Sequence, residues 1–360
     1  MAAMATRIPW WAWAWPLAGW LVIIMTVAAG GSGWLSALAG FTLVATVFAA
    51  VYHAEVIAHR IGEPYGTLVL AIAVTVIEVA LIVSVMLGGP ADKAALARDT
   101  VFASVMIACN GVVGLCLLAG GVRHHTQGFQ IEGASAALAV LAALTTLTLI
   151  LPNVTSTPGP LFSTSQLVFA GVISLVLYGG YVFVQTVSHR GYFLPVKRAR
   201  KTTPHAPPSI PVALLSAALL LVSLIAVVGL AKTLTPTLEF AVARLDVPKA
   251  VVGVVLALLV LMPESVAALR AARANELQTS LNLALGSALA SIGLTIPAVA
   301  AVSIALHTPL ELGLGTKDEV LLALTVIVGI ITLGTGRTTV LQGIVHLVIF
   351  AAFLFLAVVP

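Results

Sequence analysis

Charge is what this chain has least of. Of its 360 residues, 8% are charged, against roughly 25% in an ordinary soluble domain. Seventeen basic and thirteen acidic side chains are too few to solvate a surface of this size, which excludes a soluble globular enzyme and a disordered chain. Cysteine is nearly missing as well. Cys109 and Cys116 stand seven residues apart in one apolar run, which argues against a disulfide framework or a thiolate metal site. They read as small packing residues. The HExxH, GxSxG and Walker-loop patterns are missing, so neither hydrolytic chemistry nor an ATP drive finds support. The chain reads as a non-enzyme without a cofactor, and any pumping must draw on an ion gradient.

What the chain has is length of apolar run. Hydrophobic residues make up 60%, and a transmembrane helix needs about 20 in a row. Eleven such segments are marked at approximately 9–29, 33–57, 64–88, 97–120, 133–152, 164–187, 210–232, 247–269, 277–306, 318–335 and 338–359. Continuous runs exclude a β-barrel, whose strands alternate. The first run exceeds a signal-peptide core of about 7–15 residues and reads as a span. All six tryptophans lie from Trp10 to Trp34, as interfacial anchors. The fold class is therefore all-α, a polytopic helical membrane protein with about 11 transmembrane helices whose partner is the lipid bilayer. The net charge of +4 reads as a topology signal and not as a nucleic-acid footprint, and no protein partner is implied. With the N-terminus placed in the cytoplasm, eleven of the seventeen basic residues fall inside. The positive-inside bias thus favours N-terminus in and C-terminus out of a bacterial cytoplasmic (inner) membrane.

Residues 188–209 hold five basic residues and four prolines and form the one plausible linker, basic and cytoplasmic. It divides the chain into an N-terminal helix (1–32), a first five-helix repeat (33–187) and a second (210–360). Five is odd, so the second set must sit upside down relative to the first, which is an inverted-repeat transporter architecture.

Two acidic residues lie deep inside apolar runs. Glu78 sits in the third span, and Glu264 follows Pro263 in the eighth. An ionisable group at that depth costs at least about 2.5–3.5 kcal/mol on insertion scales and is functional by default; the alternative is a protonated carboxyl bonding a neighbouring helix. Each glutamate lies in the second span of its repeat, so a pseudo-two-fold axis would bring them together near the midplane, where sites of such folds lie. Small or hydroxylated residues share their helix faces: Thr67, Ala71 and Thr75 with Glu78, and Gly253, Ala257 and Val260 with Glu264. The next spans carry Thr100, Ser104 and Gly111, and Ser280, Ala284, Ser287, Ser291 and Thr295. Tight helix packing through small residues is the competing reading of these stripes. Pro263 cannot donate its backbone N–H, so the Leu259 carbonyl is released one turn from the carboxyl, a ready cation ligand. A carboxylate desolvated in this way binds a proton unless a cation replaces it, and that competition is the minimal physics of cation/proton exchange. Calcium takes six to eight oxygens, and two carboxylates neutralise its charge.

The sequence resembles the calcium/cation antiporter superfamily, and within it the bacterial ChaA-type calcium/proton (sodium-potassium/proton) antiporters. The resemblance runs along nearly the whole chain. It is strongest in His59-Arg60-Ile61-Gly62-Glu63-Pro64-Tyr65-Gly66, Val76-Ile77-Glu78-Val79, Pro263-Glu264 and Leu281-Asn282-Leu283-Ala284-Leu285-Gly286-Ser287. It implies that Glu78 and Glu264 are the exchange residues. There are departures. Thr75 and Leu261 stand where the wider family has asparagine, Ala290 and Ser291 replace a glutamine-bearing stretch, and the central loop is basic where relatives carry an acidic one.

The reading is a secondary active antiporter that exports Ca2+ for H+ by alternating access at Glu78 and Glu264. Thr75, Ser104, Ser287, Ser291 and the Pro263–Leu259 pair act as auxiliary ligands or helix-breaking elements. Sodium or potassium exchange on the same site is the alternative, and a cation channel is the rival of another class. His59 and Glu63, with His53, Glu55 and Arg60 nearby, form an ion vestibule or pH sensor, or else a solvated interface. His346 in the last run reads as packed and hydrogen-bonded rather than as a proton relay.

Overall fold

A computed structural model describes residues 8–29, 33–62, 65–87, 94–194 and 207–359. Among the described residues there are eleven long helices. They are α1 (Trp10–Ala29), α2 (Gly33–Ile61), α3 (Tyr65–Leu87), α4 (Leu96–His124), α5 (Ile131–Val154), α6 (Thr164–Ser188), α7 (Ile210–Arg244), α8 (Ala250–Arg273), α9 (Leu277–Leu306), α10 (Thr316–Leu333) and α11 (Val340–Val358). Each apolar run becomes one helix, because a backbone in lipid must satisfy its polar groups within its own segment. Val27, Phe41, Phe169, Val176, Leu214, Phe240, Ile331 and Phe355 are all more than half exposed, as lipid-facing residues should be. Serine and threonine mark two of the helix starts. Ser163 with Gln166 and Thr339 with Gln342 form reciprocal capping boxes at α6 and α11.

Two edges differ from expectation. The seventh helix runs on to Arg244 rather than stopping near residue 232, so Lys232 and Arg244 belong to helix and not to a loop. Residues 233–244 stay helical although they include Pro236 and three threonines. Thr233 and Thr235 return their hydroxyls to Leu230 and Ala231 carbonyls at 2.7 and 2.8 Å, and the chain turns at Asp246, whose φ is +53°. At about 1.5 Å per residue, α7 is about 52 Å long and outreaches a bilayer. Of the linker, residues 190–193 form a short 3-10 turn, and 195–206 lie outside the described residues.

The chain packs as two compact units, and each draws on both halves of the sequence. One comprises residues 1–89 and 202–252, the other 90–201 and 253–360. In the first, α2 and α7 pack along each other, with α1 and α3 against both. Pro16 in α1 removes the N–H that the Ala12 carbonyl would receive. The buried His53 of α2 supplies the missing donor, Nε2 to Ala12 O at 3.0 Å. Thr46 adds a bond to the Trp15 carbonyl at 3.2 Å, and Trp11 meets Tyr52 edge-on.

In the second unit, α9 packs against α4, α5 and α6, and α11 packs along α4. α4 is the most enclosed span. It contains a π-helical turn at Ile107–Val112. A two-residue antiparallel pairing joins β1 (Gln127–Gly128) to β2 (Arg337–Thr338). Beside it, Gln127 Nε2 donates to the Ala272 carbonyl at 2.9 Å and to Asn275 Oδ1 at 3.1 Å, fastening the turn between α8 and α9.

Candidate functional site

In the first unit, Glu78 lies on the inward face of α3. Its side chain is 2% exposed, and Thr75, one turn earlier, is buried with Ile77, Leu81 and Ile82. Ile72 and Val76, four apart on the opposite face, are nearly half exposed. The 3.6-residue period therefore turns the carboxyl away from lipid. The helix is unbroken through this point. The side chains of Thr67 and Ala71 lie outside the described residues.

In the second unit, α8 continues without a break through the buried Pro263. Glu264 is half-buried, and Ala257, Val260, Ala268 and Ala272 are buried on this helix. Leu259 is half-buried, and its carbonyl has no N–H four residues on, because residue 263 is proline. Ser265 returns its hydroxyl to the Leu261 carbonyl at 2.6 Å. At Gly253 the backbone of α4 comes so close that a Cβ would stand 3.0 Å from the Thr100 nitrogen and 3.1 Å from the Asp99 carbonyl carbon. Ser280 ties the start of α9 to α8 through the Ala268 carbonyl at 2.5 Å.

Besides Thr75 on α3, the hydroxyls predicted as auxiliary ligands lie on α4 and α9. Ser104 is buried and donates to the Thr100 carbonyl at 2.9 Å; Thr100 donates to the Leu96 carbonyl at 2.8 Å. With the protons committed to their own helix, the lone pairs are what these oxygens offer a neighbour. Ser291 is buried and Ser287 half-buried. The expected stripe Thr100–Ser104–Gly111 does not hold as one face. The π turn intervenes, and a Cβ on Gly111 would stand 3.3 Å from the Phe350 ring of α11.

The cluster at the end of α2 divides. His53 is fully buried at the α1–α2 contact and is not solvated. His59 is exposed and donates from Nδ1 to the Glu55 carbonyl at 2.8 Å. Glu63 lies outside the described residues. Sequence reasoning passed over Asn110, a buried amide between Cys109 and Gly111 in the middle of α4. A single strong hydrogen-bonding group inside an apolar run was the available signal.

Comparison with known proteins bears on this arrangement. The family described as sodium/calcium exchanger protein matches residues 31–187 and 215–359, leaving out α1 and the whole central linker. The chain belongs to this exchanger family. The y4hA protein of Sinorhizobium fredii is 51% identical over 361 aligned positions, covering 99% of this chain and 98% of that protein. The sodium-potassium/proton antiporter ChaA of Escherichia coli is 36% identical, over 89% of this chain and 87% of its own length. Among solved structures, YfkE superposes with a TM-score of 0.75 at 17% identity, over 97% of this chain and all of that one. The H+/Ca2+ exchanger CAX gives 0.67 at 12% identity, over 94% and 87%. These two share the fold. As a member of the exchanger family, the chain is a multi-pass membrane transporter of cations and not an enzyme.

Proposed function

We propose that this exchanger moves Ca2+ out of a bacterial cell in return for H+, with Glu78 and Glu264 binding cation or protons in turn. The observation that carries the reading is the inward burial of Glu78, 2% exposed, in a helix with no other charged residue. A carboxylate there is tolerated when a cation or a proton neutralises it. Two carboxylates balance a divalent ion, and the oxygens of Thr75, Ser104, Ser287, Ser291 and the Leu259 carbonyl suit a hard cation. CAX is an H+/Ca2+ exchanger and YfkE a Ca2+/H+ antiporter, which supports calcium. ChaA, described as a sodium-potassium/proton antiporter, supports a second reading in which Na+ or K+ uses the same site.

The two repeats, 33–187 and 210–360, would be inverted and rock between inward- and outward-open states in the inner membrane, N-terminus inside and C-terminus outside. The test is proton flux in proteoliposomes with Ca2+, Na+ and K+ supplied separately. Glu78→Gln and Glu264→Gln should each abolish exchange while the protein still inserts. A variant that exchanges at the wild-type rate refutes the two-carboxylate site, and the cation that drives proton efflux from the unmodified protein assigns the substrate.

A further inference from the structure

A buried polar chain crosses the second unit where α4 departs from regular helix. The π turn Ile107–Val112 sends the Val113 N–H back to the Ala108 carbonyl, five residues earlier. One extra residue in a turn rotates the downstream part of the helix by about 100° and weakens the backbone bonding. Asn110 lies in this turn, fully buried. Its Nδ2 donates to Thr325 Oγ1 at 2.8 Å and to Met106 Sδ at 3.8 Å. His346 Nδ1 lies 3.1 Å from Asn110 Oδ1, and Nε2 lies 3.2 Å from Thr332 Oγ1. His346, Thr325 and Thr332 are each at most 3% exposed.

The amide of Asn110 sets the donor directions around it. Thr325 gives its proton to the Leu321 carbonyl at 2.7 Å, so its oxygen accepts from the Asn110 amide. Asn110 Oδ1 accepts, so His346 Nδ1 carries a proton; in the neutral ring Nε2 then accepts from the Thr332 hydroxyl. A neutral imidazole protonated at Nδ1 satisfies Asn110 and Thr332, and the Cys109 backbone is a third hydrogen-bond partner of the ring. In the small cavity beside it, the other titratable side chain is Cys109, and no lining residue is charged.

This chain sits between two close seams. On one side α11 presses on α4, where a Cβ on Gly114 would meet His346 and Leu347 at 3.0–3.1 Å. On the other, Gly253 of α8 lies against Asp99 and Thr100.

We infer that the Thr332–His346–Asn110–Thr325 chain locks this turn, and thereby fixes how α4 presents Thr100 and Ser104 to α8, the helix of Glu264. His346 is a positioning residue and not a proton carrier. Its role in exchange rests on Glu264 being an exchange residue; its tautomer does not.

Two measurements on the full chain in bilayers test this. In protein with 15N-labelled histidine, the signal lost in His346→Gln should report a protonated Nδ1 and a bare Nε2, unchanged from about pH 6 to 8. The opposite tautomer, or titration in that interval, overturns the lock. In exchange assays, His346→Leu should lower apparent cation affinity about two- to thirtyfold without moving the pH profile. His346→Gln, which keeps a donor and an acceptor, should restore most of it. Wild-type affinity in the leucine variant overturns the positioning role, and a shifted pH profile in the glutamine variant identifies a proton carrier instead. If Glu264→Gln still exchanges, the exchange site is wrong while the tautomer result stands.

Discussion

Gly253→Ala probes the seam that holds the helix of Glu264. The added Cβ would stand 3.0 Å from the Thr100 nitrogen and 3.1 Å from two Asp99 carbons. A comfortable carbon contact is about 3.5–4.0 Å, so α8 and α4 must part by about 0.5–1 Å. Two of the three obstructing atoms are backbone and cannot swing aside. Overpacking of this kind costs about 1–3 kcal/mol, and alanine returns about 0.5–1 kcal/mol over glycine within a helix. The net loss leaves the protein folded. Glu264 lies eleven residues on, about 16 Å along the same rod, and shares the displacement. A misplacement near 1 Å costs of order 100-fold, so the variant should exchange about ten- to hundredfold more slowly at equal membrane abundance. Cation-driven proton flux in proteoliposomes reads this directly. Gly180→Ala, where nothing lies within 4 Å, should exchange normally. Equal rates for the two variants would refute the claim that the Gly253 seam positions Glu264.

Two further substitutions test the carbonyls that proline releases. Pro263→Ala restores an N–H to the Leu259 carbonyl and removes a residue about 3 kcal/mol unfavourable in a helix interior. It should raise the unfolding temperature while weakening apparent cation affinity, and an unchanged affinity removes the freed carbonyl from the site. His53→Leu strips the donor from the Ala12 carbonyl, which Pro16 leaves without a helical partner. Stability should fall by about 1–3 kcal/mol in denaturation assays with little change in exchange rate; a large loss of exchange at full stability would instead make His53 part of the transport path.

The helices were legible because lipid leaves the backbone no other choice. Apolar run and helix therefore coincide nearly to the residue at 277–306. They part at α7, which outlasts its apolar run by twelve residues to Arg244, because helix formation depends on packing as well as hydropathy. Glu78 and Glu264 were legible as charge in the wrong place. The π turn of α4 was not, since it arises where Asn110 meets Thr325 and His346, partners more than 200 residues away. A stripe drawn at ideal helical spacing through Thr100, Ser104 and Gly111 could not register the residue that the turn inserts. His53 failed for a related reason. Its burial follows from Pro16, on another helix, which no local pattern around residue 53 reveals.

The small-residue stripes also separate by chemistry. Gly253, Gly111 and Gly114 mark places where one helix touches the next, and there the packing reading of small residues holds. The hydroxyls are different. Ser104 and Thr100 give their protons to carbonyls of their own helix, so they face a neighbour as acceptors. A wall of acceptors suits a cation or a protonated carboxyl, which donates, and disfavours a bare carboxylate. In the proposed exchange these oxygens act on the seam and not on the carboxyl itself, because Thr100 meets α8 at Gly253, about 16 Å along the helix from Glu264.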